Sequence, residues 1–239
     1  MLWYKAWLET RARFLVSVCA ISIISAFFVH HAERVISPEP KRETYFLLFF
    51  VHHYLVGLWI LSAVLLGMGG LIRERAIGTS SFTLTLPVSR ARVAGVQIAV
   101  GIFQAILLAV LPWSVILFTT DLIGRAFPVS QAAFYVLLLI SGGLVYFALA
   151  VLISSLIEGE YTAPAVAYGL VVLSGITFSS VDSLRPYADL WRFMGGDNHF
   201  NHATYLLSGP FPRFGALAAL SVAALMLLAS VAVIQRREF

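Results

Sequence analysis

The side chains best suited to chemistry here are six histidines, the pairs His30-His31 and His52-His53 together with His199 and His202. Imidazole nitrogens hold copper, zinc or haem iron, so two pairs brought together by antiparallel helices could form a metal or haem site. Adjacent residues on a helix point about 100° apart, so each pair offers at most one ligand to a common point. Histidines at a membrane interface, satisfied by headgroups or water, are the simpler reading, and no resident metal is expected. Glu158 and Glu160 stand at i and i+2 and could in principle share acid–base work, but nothing nucleophilic lies beside them. There is no Ser/His/Asp constellation and no H-E-x-x-H helix, since His31-Ala32-Glu33 is not one. The chain is therefore not expected to be an enzyme. A phosphate-binding loop of the form G-x-x-x-x-G-K-[ST] needs a lysine after glycine. The only lysines are Lys5, after Tyr4, and Lys41, after Pro40, so the chain is not its own P-loop ATPase.

The elements that must carry these residues are membrane helices. Of the 239 residues, 60% are hydrophobic and 12% charged, and the mean hydropathy is +0.89. A soluble domain carries about 25% charged residues. Crossing a hydrocarbon core of ~30 Å takes about 20 helical residues, and six stretches qualify: 13–30, 45–72, 93–120, 129–157, 161–180 and 214–234. The longer ones imply tilt, an interfacial extension or a kink at Pro112. The first is not read as a signal peptide, because no small-residue cleavage site follows it. The single cysteine, Cys19, lies inside that first stretch, which leaves no intrachain disulfide and no cysteine-based metal site. The net charge of +4 reflects topology in such a chain rather than a nucleic-acid partner.

Lys and Arg set the orientation. With the N-terminus inside, Lys5, Arg11, Arg13, Arg73, Arg75, Arg90, Arg92, Arg236 and Arg237 are cytoplasmic. Arg34, Lys41, Arg42, Arg125, Arg185, Arg192 and Arg213 are then outside, in longer segments. Both termini are thus expected in the cytoplasm, with the chain multi-pass in the cell (inner) membrane. Residues 1–12 have an amphipathic pattern, Leu2, Trp3, Ala6 and Trp7 against Lys5 and Glu9, that describes an interfacial helix. It serves as a lipid anchor or as a functional elbow. Within the spans no Asp, Glu, Lys or Arg lies beyond the edges, leaving only His52 and His53 for an ion-coupled carrier to use.

The connector 73–92 is more elaborate than a link between two spans requires. Arg73, Glu74 and Arg75 precede Gly78 and Thr79; Phe82, Leu84 and Leu86 form an apolar element; and Pro87, Ser89, Arg90 and Arg92 lead into the third span. Gly78 can break the chain after the second span. Thr79 or Ser80 can cap a short helix, and Ser89 is a good N-cap for the third span. Phe82–Leu86 also alternates with Thr83 and Thr85 in a strand-like way, and the arginines can serve simply as anchors at the bilayer surface.

The run R-E-R-x-x-G-T followed by L-x-L-P-V-S-R, the W-K-x-W-x-E-x-R-like start at 3–11, the six spans and the basic tail Arg236-Arg237-Glu238-Phe239 together resemble the permease subunit of type-2 ATP-binding-cassette transporters. The resemblance covers essentially the whole chain. It implies an all-α membrane protein, one transmembrane domain over 1–239, with an N-terminal elbow helix, six transmembrane helices and a cytoplasmic coupling helix in 73–92. That helix would sit in a cleft of a separate nucleotide-binding subunit, which holds ATP and Mg, and the assembly would be a homodimer or a paired permease, working as an exporter. Members often carry Glu after the Gly-Thr pair, where this chain has Ser80 and Ser81. A second contact with the ATPase is expected at Glu158 and Glu160, unless these form a plain turn. The outer loop 181–213 is expected to hold short helices at or dipping into the outer leaflet, with Trp191, Gly195 and Gly196 at a gate. Gly195-Gly196 is read as a turn rather than a hinge. The alternative to a transporter is a histidine-based intramembrane metal- or haem-handling protein that needs no ATPase.

Overall fold

Long apolar stretches give long helices, and the computed structural model, which describes residues 2–31, 40–68, 89–124, 126–157, 162–180 and 189–236, is built almost wholly of them. The α-helices are α1 (Leu2–His31), α2 (Pro40–Gly67), α3 (Arg90–Leu122), α4 (Val129–Leu156), α5 (Thr162–Ser180), the short α6 (Leu190–Gly195) and α7 (Arg213–Arg236). A 3-10 turn, Asp197–His199, and a two-residue antiparallel pair, β1 (Phe200–Asn201) with β2 (Leu206–Leu207), lie between α6 and α7. Five helices are long and apolar enough to cross a membrane: α1, α2 over Leu47–Gly67, α3, α4 and α7. The chain is a helical, multi-pass membrane protein by this measure. At 19 residues α5 is the shortest of the long helices.

The start of the chain differs from expectation. Residues 2–12 are not a separate interfacial helix, because α1 runs unbroken for 30 residues from Leu2 to His31. That stretch contains neither Gly nor Pro, and the Thr10 hydroxyl donates to the Ala6 carbonyl within the helix at 3.0 Å. The amphipathic pattern survives as a face: Trp3 and Tyr4 are exposed, while Trp7 packs on Phe14. As the span 93–120 read from the sequence requires, α3 continues through Pro112 to Leu122. Its start is as read from the sequence, with the Ser89 side chain accepting from the Arg92 N–H at 3.3 Å.

Helix packing in lipid relies on close approach of small residues rather than on expulsion of water. Three glycines do this work. A Cβ on Gly143 of α4 would lie 2.3 Å from the Trp59 ring of α2, one on Gly101 of α3 would lie 2.5 Å from the Phe147 ring of α4, and one on Gly67 would lie 2.8 Å from Ala150. These contacts, together with His52 on Tyr135, put α2 parallel to α4, with α3 antiparallel to both.

One end of the bundle is tied by specific contacts. Arg13 donates to the carbonyls of Leu65, at 3.1 Å, and Met68, neutralising the end of α2. Ser154, near the end of α4, donates to the Gly67 carbonyl at 3.3 Å. Leu2 packs against Val93, Ala94 and Ile234, so the start of α1, the start of α3 and the end of α7 meet there. The opposite end is where the segment after Asp189 enters.

Candidate functional site

The segment 189–207 begins with a capped turn of helix. Asp189 accepts the Arg192 N–H at 3.1 Å, a normal N-cap contact. The helix ends at Gly196, whose φ of 78° is left-handed and whose N–H reaches the carbonyls of Arg192 and Phe193. Only glycine adopts that conformation without strain, and a Cβ there would also lie 2.9 Å from Leu207. Gly195 is thus the last residue of the helix and Gly196 its left-handed cap.

This turn is set deep in the bundle. Met194 is fully buried and lies against Gly142, where a Cβ would be 2.5 Å from its Cγ; Gly142 is halfway along the 28-residue α4. Trp191 lies on Gly57 of α2, its ring 3.5 Å from a Cβ built there. The element packs among α2 and α4 at the His52 end of the bundle. Irregular backbone at such depth is tolerated only where protein satisfies its polar groups. His52, with no exposed surface, does so, its Nε2–H donating to the Met194 carbonyl at 2.8 Å. Around His52 are the stacked rings of Trp113 and Tyr135, 5.1 Å apart. Further along, Gln131 of α4 fastens β2 with two bonds, its amide donating to the Leu207 carbonyl at 3.1 Å and accepting the Leu207 N–H at 3.0 Å.

His53 faces two acceptors. Its Nδ1 lies 2.9 Å from the Phe49 carbonyl and its Nε2 2.8 Å from Asp197 Oδ1. Both nitrogens must donate to make both bonds, which only the imidazolium can do. Asp197 is therefore the hub of a small ion cluster, its other oxygen 3.5 Å from Arg192 Nε. Burial alone would lift the Asp197 carboxyl, but the His53 hydrogen bond and the His53 and Arg192 charges hold it below the ordinary value of 3.8.

Trp191, Gly195 and Gly196 are thus brought together with His52 and His53, a conjunction the sequence did not suggest. The expectation that the histidines meet headgroups or water is corrected for this pair, because both are engaged by the protein. His30 and His31 remain apart at the end of α1, with His31 stacked on Phe27 at 4.0 Å and its Nδ1 3.1 Å from the Phe27 carbonyl. Among the described residues no group of three or more His, Cys, Asp or Glu is placed to hold a metal. Of the connector, residues 89–92 are described, with Ser89, Arg90 and Arg92 among them; Arg73, Glu74, Arg75, Gly78, Thr79, Phe82, Leu84, Leu86 and Pro87 lie outside the described residues, as do Glu158 and Glu160. Asp189, Arg192, Asp197 and Gln131 were not singled out from the sequence. The signal that could have found them is the need of any polar loop at membrane depth for buried partners.

No protein-family model matches the chain, and no curated protein matches it.

Proposed function

We propose that the chain is the permease subunit of an ATP-binding-cassette transporter, an exporter driven by a separate ATPase subunit through the 73–92 connector. It would cross the inner membrane six times, with both termini in the cytoplasm and a second permease copy beside it. The observation that carries this reading is the connector sequence, whose R-E-R-x-x-G-T and L-x-L-P-V-S-R runs flank Phe82–Leu86. Support comes from its two ends. Leu66 and Gly67 of α2 line one crevice with Ala94 and Gln97 of α3 and with Ala6 and Glu9 of α1. Twenty residues, 69–88, therefore join two helix ends that already share a crevice, more chain than a simple turn needs. Arg13 ties α1 to the α2 side of that junction, a route by which movement of the connector would reach the bundle. The 189–207 segment suits an outer gate, because it seals the far end with residues from α2 and α4.

The reading is tested by purifying the tagged chain from native membranes. An ATP-hydrolysing subunit should copurify, and Phe82→Asp or Leu86→Asp should abolish both its capture and the associated ATPase activity. A chain that purifies alone as a stable monomer with stoichiometric bound metal overturns it in favour of histidine-based metal handling.

A further inference from the structure

A cavity of about 570 Å³ opens between α2, α5 and α6, beside the 189–196 turn. Its volume is that of a small-molecule site. One wall is apolar, made by Ile60, Val171, Val172 and Ile176; the other carries Trp191 and Asp189. Asp189 is only 8% exposed, and the sole described hydrogen bond of its side chain is the one it accepts from the Arg192 N–H. Arg192 and Asp197 also line the cavity, but Arg192 and His53 both direct their charge to Asp197. Among the described residues no cation lies within ion-pair distance of Asp189. A buried carboxylate without a counter-charge is costly, and this one faces a space large enough for a guest. An indole beside it adds a second attraction for a cation.

We propose that this cavity binds an amphipathic amine, its ammonium group on Asp189 and Trp191 and its apolar body along Ile60, Val171, Val172 and Ile176. The same chemistry is offered by a free alkylamine and by the amine headgroup of a membrane phospholipid. As a cargo site it rests on the permease reading; as a binding site it needs no ATPase.

The test uses the full chain in neutral maltoside micelles, with decylamine as ligand and decanol as its uncharged match. Decylamine should bind saturably at one per chain, above its partition into empty micelles, and decanol far more weakly. Asp189→Asn removes the charge while keeping an N-cap of equal quality, and should weaken decylamine about tenfold or more without changing decanol. Equal affinity of Asp189→Asn and parent for decylamine, or of decylamine and decanol for the parent, overturns the proposal. Should Asp189→Asn not fold, Val172→Trp provides the second variant: it fills the cavity from α5 and must abolish decylamine binding at unchanged helix content, and retained binding overturns the proposal. Competition by phosphatidylethanolamine assigns the site to a lipid headgroup, and its failure to compete assigns it to a free amine. A chain that binds decylamine yet recruits no ATPase fails the permease reading and keeps this one.

Discussion

At the scale of single residues, His52 and Asp197 determine whether the 189–196 turn stays in place. His52→Ala leaves the buried Met194 carbonyl without its donor, a loss of about 1–3 kcal/mol, and opens a cavity next to Trp113 and Tyr135 that adds to it. The expected cost is about 2–4 kcal/mol in denaturant unfolding of the detergent-solubilised chain, with His52→Gln recovering part of it if the amide reaches the carbonyl. Asp197 gives a pH signature. Its carboxyl is held below 3.8 in the folded chain, so the stability it contributes is present above that value and is lost as the pH falls below it. Unfolding followed from about pH 6 to about pH 3 should show a stability decline at the acid end that is shallower in Asp197→Asn. The histidine pair itself was visible in the sequence, but its use was not. The carbonyl that His52 meets is 142 residues downstream, and the carboxylate on His53 is 144 downstream; no local spacing encodes such a pairing.

At the scale of elements, the depth of the 189–196 turn is fixed by a glycine on a different helix. Gly142 leaves room on α4 for Met194. Gly142→Val should push α6 out of the bundle while leaving the helices themselves intact. The check is a Phe193→Cys probe in a Cys19→Ser background: a membrane-impermeant maleimide should label it faster once Gly142→Val is added, at unchanged circular dichroism. Unchanged labelling would mean that Met194 repacks and that Gly142 does not set the depth. That the loop holds a short helix was legible from its aromatic residues, aspartates and Gly-Gly pair. How deep it sits was not, because a glycine in an apolar helix reads the same whether it faces lipid or a buried methionine. The apolar stretches were legible as long helices with ends within a few residues, apart from α1, which begins at Leu2 rather than at 13, and α2, which begins at Pro40 and ends at Gly67 rather than at 72; five of these helices are long and apolar enough to cross a membrane. The continuity of residues 2–12 with the first span was not legible for a physical reason: an amphipathic pattern reports which face is polar, and it cannot mark a break where no residue breaks the helix.

At the scale of the whole molecule, the number of crossings follows from which helix ends meet. Leu2 of α1, Val93 and Ala94 of α3 and Ile234 of α7 form one cluster, so the first and last described helices have their outer chain ends at the same end of the bundle. The end of α4 is there too, through Ser154 and Gly67. After α4, α5 begins, and the next described residues, from Asp189 onward, pack on His52, His53 and Tyr135 at the other end. A path from one end to the other falls to α5, whose 19 residues reach about 28 Å at 1.5 Å per residue, close to the ~30 Å hydrocarbon thickness. This favours an even number of crossings, and in the orientation proposed above, with Lys5, Arg11, Arg13, Arg90, Arg92 and Arg236 inside, the shared end would be the cytoplasmic one. Single cysteines in a Cys19→Ser background decide the matter. In intact cells an impermeant maleimide should label Ala126→Cys and His202→Cys, and should reach Lys5→Cys and Arg236→Cys only after permeabilisation. Labelling of Arg236→Cys from outside while Lys5→Cys stays protected would give an odd number of crossings, leave α5 short of the far side, and remove the even-span arrangement on which a permease with both ends at its ATPase depends.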